Sequence, residues 1–256
     1  MHKNPMDNYS TEEYERLVEK CRKEDCYNTD GCSAEYDTTD DGDYANDPSA
    51  LIVNPTEDKF TNITSTADWF KIAFDKCRNI FIAKLQDYGA SWRIMRPASV
   101  TDQILIKATR IRYIEENGIT KIGDGILPEF VAIVNYGIVA LIQCELGYSQ
   151  YGKDMSFEDA ISIYDKYMEQ AYELMLKKNN DYNEAWKLMR INSYTDFILM
   201  KLLRVMEIED NNGVTKVSEP IESNYFDMVN YAIFGIIKFI DPTYSHQIPK
   251  VVSQNS

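Results

Sequence analysis

At 256 residues the chain can hold one large domain or two small ones, and most of its net charge of −14 lies in residues 1–60. With 41 acids against 27 bases and no basic run, it lacks the Lys/Arg contacts that duplex nucleic acid demands. No run of about 18 apolar residues marks a membrane span, and residues 1–5 lack the apolar core of a signal peptide, so the expected compartment is cytoplasmic.

Residues 1–60 are expected to form a disordered acidic leader. A charged stretch at 11–23 has helical character, but 24–55 is rich in Asp, Thr, Gly, Ser and Asn and buries too little apolar surface to offset chain ordering. Cys21, Cys26 and Cys32 fall there at spacings unlike a CxxC zinc pair. Only His2 and His246 are available, both near the ends, which disfavours His-based zinc sites and Ser–His–Asp chemistry.

The first half, 61–150, opens near Ser65-Thr66 with Trp69, Phe70, Ala73, Cys77, Phe81 and Leu85 at helical spacing, and Gly89 suits its end. Ser99 with Asp102 gives an S-x-x-D start for a second helix running to about Asn117-Gly118. A third begins near Pro128 and stops before Gly147. The second half, 151–245, repeats the layout. Ser156 with Asp159 opens a helix to about Lys178, Ser193 with Asp196 opens one stopped at Asn211-Asn212-Gly213, and the last runs from about Pro220 to Ile240. No stretch alternates apolar and polar residues, so the expected fold is all-α: a bundle of two homologous three-helix halves forming one body. Cys77 and Cys144 lie in apolar helical patterns and read as buried thiols.

The homology of the halves is written in the chain. Asp87-Tyr88-Gly89-Ala90-Ser91-Trp92-Arg93-Ile94-Met95-Arg96 returns 94 positions later as Asp181-Tyr182-Asn183-Glu184-Ala185-Trp186-Lys187-Leu188-Met189-Arg190. Ser99, Thr101, Asp102, Lys107 and Arg110 return as Ser193, Thr195, Asp196, Lys201 and Arg204. A repeated core needs only apolar pattern; repeated polar residues ask for another reason.

The second helix of each half is apolar around Ile104–Ala108 and Ile198–Leu203 and is expected inside the bundle, where its cations need partners. One reading pairs Lys107, Arg110, Lys201 and Arg204 with Asp87, Asp102 or an acid of the third helix. The other has them line a cleft with Arg96 and Arg190 and bind phosphate. Likewise Tyr88, Trp92, Tyr182 and Trp186 are either capping-turn anchors or base-stacking rings. Counting back from Asn135-Tyr136 and Asn230-Tyr231, an E-x-x-D pattern is split: Glu129 and Ala132 in one half, Asn224 and Asp227 in the other. Glu129 and Asp227, with Asp75 and Glu169 on the first helices, are the candidate Mg²⁺ ligands if the halves bring them together. Asp87 and Asp181 are the candidate catalytic acids.

The series K-x-x-D-Y-G-x-x-W-R-x-M-R-x-x-S-x-T-D-x-I-x-x-K-x-x-R-I, followed by P-E-F…N-Y, resembles the bacterial family called nucleotide modification associated domain 1, earlier a domain of unknown function, in which tandem copies occur. The resemblance runs from about Phe70 to Phe239 and implies an association with nucleotide or DNA modification. A weaker similarity is to the all-α MazG-type nucleoside triphosphate pyrophosphohydrolases, which use E-x-x-E and E-x-x-D motifs to bind Mg²⁺; the first motif is missing here and the second is split. These likenesses imply a binding partner that is a nucleotide or modified nucleotide; charge and hydropathy speak against duplex nucleic acid and membrane, and homo-oligomer formation is left open. They also imply a Mg²⁺-dependent hydrolase that splits a triphosphate into monophosphate and pyrophosphate. The alternative is a non-catalytic binding or scaffold module whose charges form salt-bridge networks.

Overall fold

Of the three expected S-x-x-D caps only Ser156 starts its helix, and Ser65, near which the first helix was expected to open, caps in the same way. The Ser65 hydroxyl accepts the Asp68 amide at 3.1 Å and opens α1, Thr66–Tyr88, which ends on Gly89 at φ 63°. Ser156 accepts the Asp159 amide at 3.0 Å and opens α4, Phe157–Asp181. The other two helices start earlier than expected. α2, Pro97–Asn117, has Arg96 at its cap position, and α5, Ile191–Asp210, has Arg190 there, neither with a side-chain cap bond. Ser99 and Ser193 therefore sit inside the first turn. Pro97, whose fixed φ suits a first helical residue, begins α2 two residues ahead of Ser99. A 3-10 turn precedes each of these helices, Ser91–Ile94 and Ala185–Leu188, and carries the repeated Trp. The third helices are α3, Leu127–Leu146, and α6, Ile221–Ile240.

This computed structural model describes residue 63 and residues 65–120, 125–216, 220–249 and 252–253, all within one compact unit, Asp43–Ser256. The leader and its three cysteines lie outside the described residues. Among those described there are six α-helices, so the class is all-α. One addition was not legible in the sequence: β1, Ile119–Thr120, pairs in parallel with β2, Val252–Ser253, a two-residue ladder that leaves the class unchanged.

The buried centre belongs to α3 and α6, not to the second helices as expected. Ile106 and Leu203 are more than half exposed, whereas α3 is buried from Glu129 to Gln143 apart from Tyr136. The apolar windows in α2 and α5 are short and flanked by charges, while α3 and α6 are apolar along most of their length. α3 is long and apolar enough to cross a membrane, yet most of it is enclosed by this fold. It crosses α6 closely: a Cβ on Gly137 would stand 2.6 Å from a Val229 methyl, and one on Gly235 would stand 2.9 Å from the Phe130 ring.

Reciprocal bonds mark a twofold relation between the halves. Thr101 donates to Glu209 at 3.0 Å, and its repeat Thr195 donates to Glu115 at 3.0 Å, each reaching into the other half. One apolar cluster draws on all six helices. Cys77 is fully buried and Cys144 half-buried, both as free thiols, and burial pushes the Cys144 thiol up to about 12.

Candidate functional site

On α6, Asp227, Asn230 and Phe234 follow at steps of three and four, so they share one face. On α5, Phe197, Lys201 and Arg204 do the same. These two faces, the end of α4 (Met175, Lys178, Asn179, Tyr182) and the second Trp turn (Ala185, Trp186, Met189) enclose a pocket of about 520 Å³. That volume falls within the range of small-molecule sites, roughly 300–1,000 Å³.

Charge gathers on one side of the pocket. Asp227 is held by Lys201 Nζ at 2.9 Å and by Lys178. Arg204 lines the same pocket, so three cations accompany one carboxylate in a protein that is strongly acidic as a whole. Along α6 the wall then passes through a buried Asn230 to partly buried aromatic rings. Asn230 is 5% exposed, and neither atom of its amide has a hydrogen-bond partner. Trp186 is equally buried and its indole Nε1 is also unpaired. Its ring lies flat on Phe234, with centroids 4.7 Å apart and planes 6° from parallel.

A buried cation pins the turn that carries Trp186. Lys238 donates to the Lys187 carbonyl at 2.7 Å and lies 3.7 Å over the Tyr244 ring. Burial pushes its amine down to about 8. Its counterpart in the first half is Gln143, which donates to the Arg93 carbonyl at 3.1 Å. Each third helix thus fastens its Trp turn through one buried side chain.

The first half uses the same framework differently. Ala132 stands where Asp227 would be, and the acid is one turn earlier as Glu129, fully buried. Arg110 binds one Glu129 oxygen and Lys107 lies 3.5 Å from the other. Of the two readings of these cations, pairing with a third-helix acid describes Lys107 and Arg110 in the first half and Lys201, on Asp227, in the second. Asn135, the repeat of Asn230, is engaged as well: its Oδ1 accepts from the Tyr164 hydroxyl at 2.7 Å. The residue 94 positions before Tyr164 is Phe70, which carries no hydroxyl for Asn230.

The expected site residues therefore divide. Lys201, Arg204, Asp227, Tyr182 and Trp186 meet at the pocket; Lys107, Arg110 and Glu129 meet in the first half. Arg96 lines a separate depression of about 690 Å³ beside Glu209, and Arg190 a third of about 320 Å³ beside Glu115. The six cations do not converge, because Arg96 and Arg190 sit at helix starts, 11 residues or roughly 16 Å along the axis from Lys107 and Lys201. Asp87 and Asp181 are exposed at helix ends outside the pocket, and Tyr88 is half exposed beside the first. Trp92 packs at a tilt against Phe81, so it serves as an anchor rather than an open stacking face.

The four carboxylates expected to share Mg²⁺ are not gathered. Glu129 and Asp227 are each taken up by two cations, and Asp75 and Glu169 are exposed on α1 and α4. Among the described residues no group of three or more His, Cys, Asp or Glu could hold a metal ion. The side chains present do not make a Mg²⁺ cage, and no chemical step is derived through one. Sequence reasoning missed Asn230, Lys178 and Phe234 in the wall. The Asn-Tyr landmark and the repeat of Lys84 as Lys178 were the available signals.

These features define a doubled all-α protein in which one half keeps an open polar pocket and the other closes over a buried salt bridge. The family described as nucleotide modification associated domain 1 matches residues 84–144 and again 178–239, two segments consistent with tandem copies. No curated protein and no solved structure matches the chain, which leaves the likeness to MazG-type enzymes without a supporting relative.

Proposed function

We propose that the pocket of the second repeat binds a nucleotide or nucleotide-like phosphate, and that the first repeat is a structural partner. The observation that carries this is that Lys178 and Lys201, both on Asp227, share with Arg204 a pocket lined by aromatic rings. Cations favour phosphate, Arg as a two-pronged donor and Lys as a point charge, and aromatic walls favour a base. The family's association with nucleotide modification agrees with that chemistry. Binding fits this geometry better than pyrophosphohydrolysis, because the pocket's own carboxylate is already taken up by two lysines.

A thermal-shift panel of canonical and modified nucleoside triphosphates, with and without Mg²⁺, tests the reading. A ligand that binds only the folded state raises the melting temperature by mass action. At least one nucleotide is expected to do so, and Lys201→Met is expected to remove the shift. No shift from any nucleotide at millimolar concentration would rule the reading out. Pyrophosphate release in the same wells would add a hydrolytic step to it.

A further inference from the structure

We infer that Asn230 reads the base of the bound nucleotide, with the phosphates at the pocket mouth and the base inside. The inference rests on the binding reading above and deepens it. Three observations support this orientation. First, charge gives way to uncharged side chains along α6. Asp227 carries Lys178 and Lys201, and the positions that follow on the pocket wall are Asn230, Tyr231 and Phe234. From Asp227 to Phe234 the helix rises about 10 Å, roughly the reach of a nucleoside. Phosphate charges remain at the cationic end, and a flat ring enters where the walls are Trp186, Phe234 and Tyr231.

Second, Asn230 presents one donor and one acceptor, both unpaired, at a depth where an unpaired polar group is costly. A planar ligand edge with an adjacent donor and acceptor satisfies both, which is the pairing an Asn amide makes with a base. The unpaired indole N–H of Trp186 supplies a further donor on the same wall. Third, the equivalent amide in the first half is already bonded to Tyr164, and the residue at the repeat position of Tyr164 is Phe70, which has no hydroxyl. The pairing that would silence Asn230 is missing from the sequence itself.

The test is calorimetric titration of the full chain with the four canonical deoxynucleoside triphosphates and with inorganic triphosphate, for wild type, Asn230→Leu and Asn230→Asp. We expect wild type to prefer one base over the others by about 10–100-fold, and to bind that nucleotide more tightly than inorganic triphosphate. Asn230→Leu should level the bases, leave inorganic triphosphate unchanged and raise the melting temperature of the free protein. Asn230→Asp, which keeps an acceptor and loses the donor, should change the order of preference. Equal affinity for inorganic triphosphate and every nucleotide would overturn the base inference while leaving phosphate binding intact. A base preference untouched by both variants, or a lower melting temperature in Asn230→Leu, would overturn it as well. Binding of none of the ligands would remove the underlying reading together with it.

Discussion

Asp227 and Ala132 hold equivalent places in the two repeats, and that exchange separates a pocket from a closed salt bridge. With no acid at 132, Lys107 and Arg110 turn to Glu129, which is sealed from solvent. Removing one partner of a buried pair leaves uncompensated charge, so Glu129→Gln should destabilise the protein by about 3 kcal/mol or more in denaturant melts. Glu115 offers a separate check. Burial, with Asp196 and Glu116 nearby, pushes its carboxyl from 4.5 up to about 7, against the pull of the Thr195 hydrogen bond and Arg112. The folded value lies above the unfolded one, so its contribution to stability is complete below about pH 4.5 and is lost as pH rises through about 7. Melting temperature should therefore fall across that window, and Glu115→Gln should flatten the fall and melt roughly 2–4 °C higher at pH 8. That Lys107 and Arg110 needed partners was legible from charge on an apolar helix; whether a third-helix acid or a phosphate supplied them was not. That Asn230 would stand unpaired was not, because its missing partner is set by a helix of the other repeat.

Among elements, the helices whose ends carry a chemical signal were the ones read most closely. Ser65, Gly89, Ser156 and Pro220 mark boundaries that the structure keeps within a residue. The starts of α2 and α5 were misread because a 3-10 turn and Pro97 begin the helix before the Ser that resembled a cap. Which helix is central was misread too, since a window of apolar residues says less than the charge count along the whole helix. The α3–α6 crossing is the tightest consequence of that centre. A Cβ on Gly235 would stand 2.9–3.0 Å from three Phe130 ring atoms, and Phe130 is fully buried. Gly235→Leu should cost about 2 kcal/mol or more by overpacking, measured as a lower denaturation midpoint at unchanged slope.

At the scale of the molecule, the two repeats share one apolar cluster and exchange the Thr101–Glu209 and Thr195–Glu115 bonds. Residues 151–249 expressed alone should aggregate or lack a cooperative melt, because α4–α6 would expose the surface that α1–α3 cover. A cooperative melt of that fragment would show that the repeats fold independently. The 94-residue repeat made this doubling visible at once; the divergence of the halves was visible only as a split E-x-x-D whose meaning needed three dimensions.

The central claim is that the second repeat binds and the first supports. Titration calorimetry of the best-stabilising nucleotide onto wild type, Lys201→Met and Lys107→Met tests it most directly. The account predicts one site per chain, lost in Lys201→Met and retained in Lys107→Met. Two equivalent sites per chain, or binding abolished by Lys107→Met with the fold intact, would contradict it.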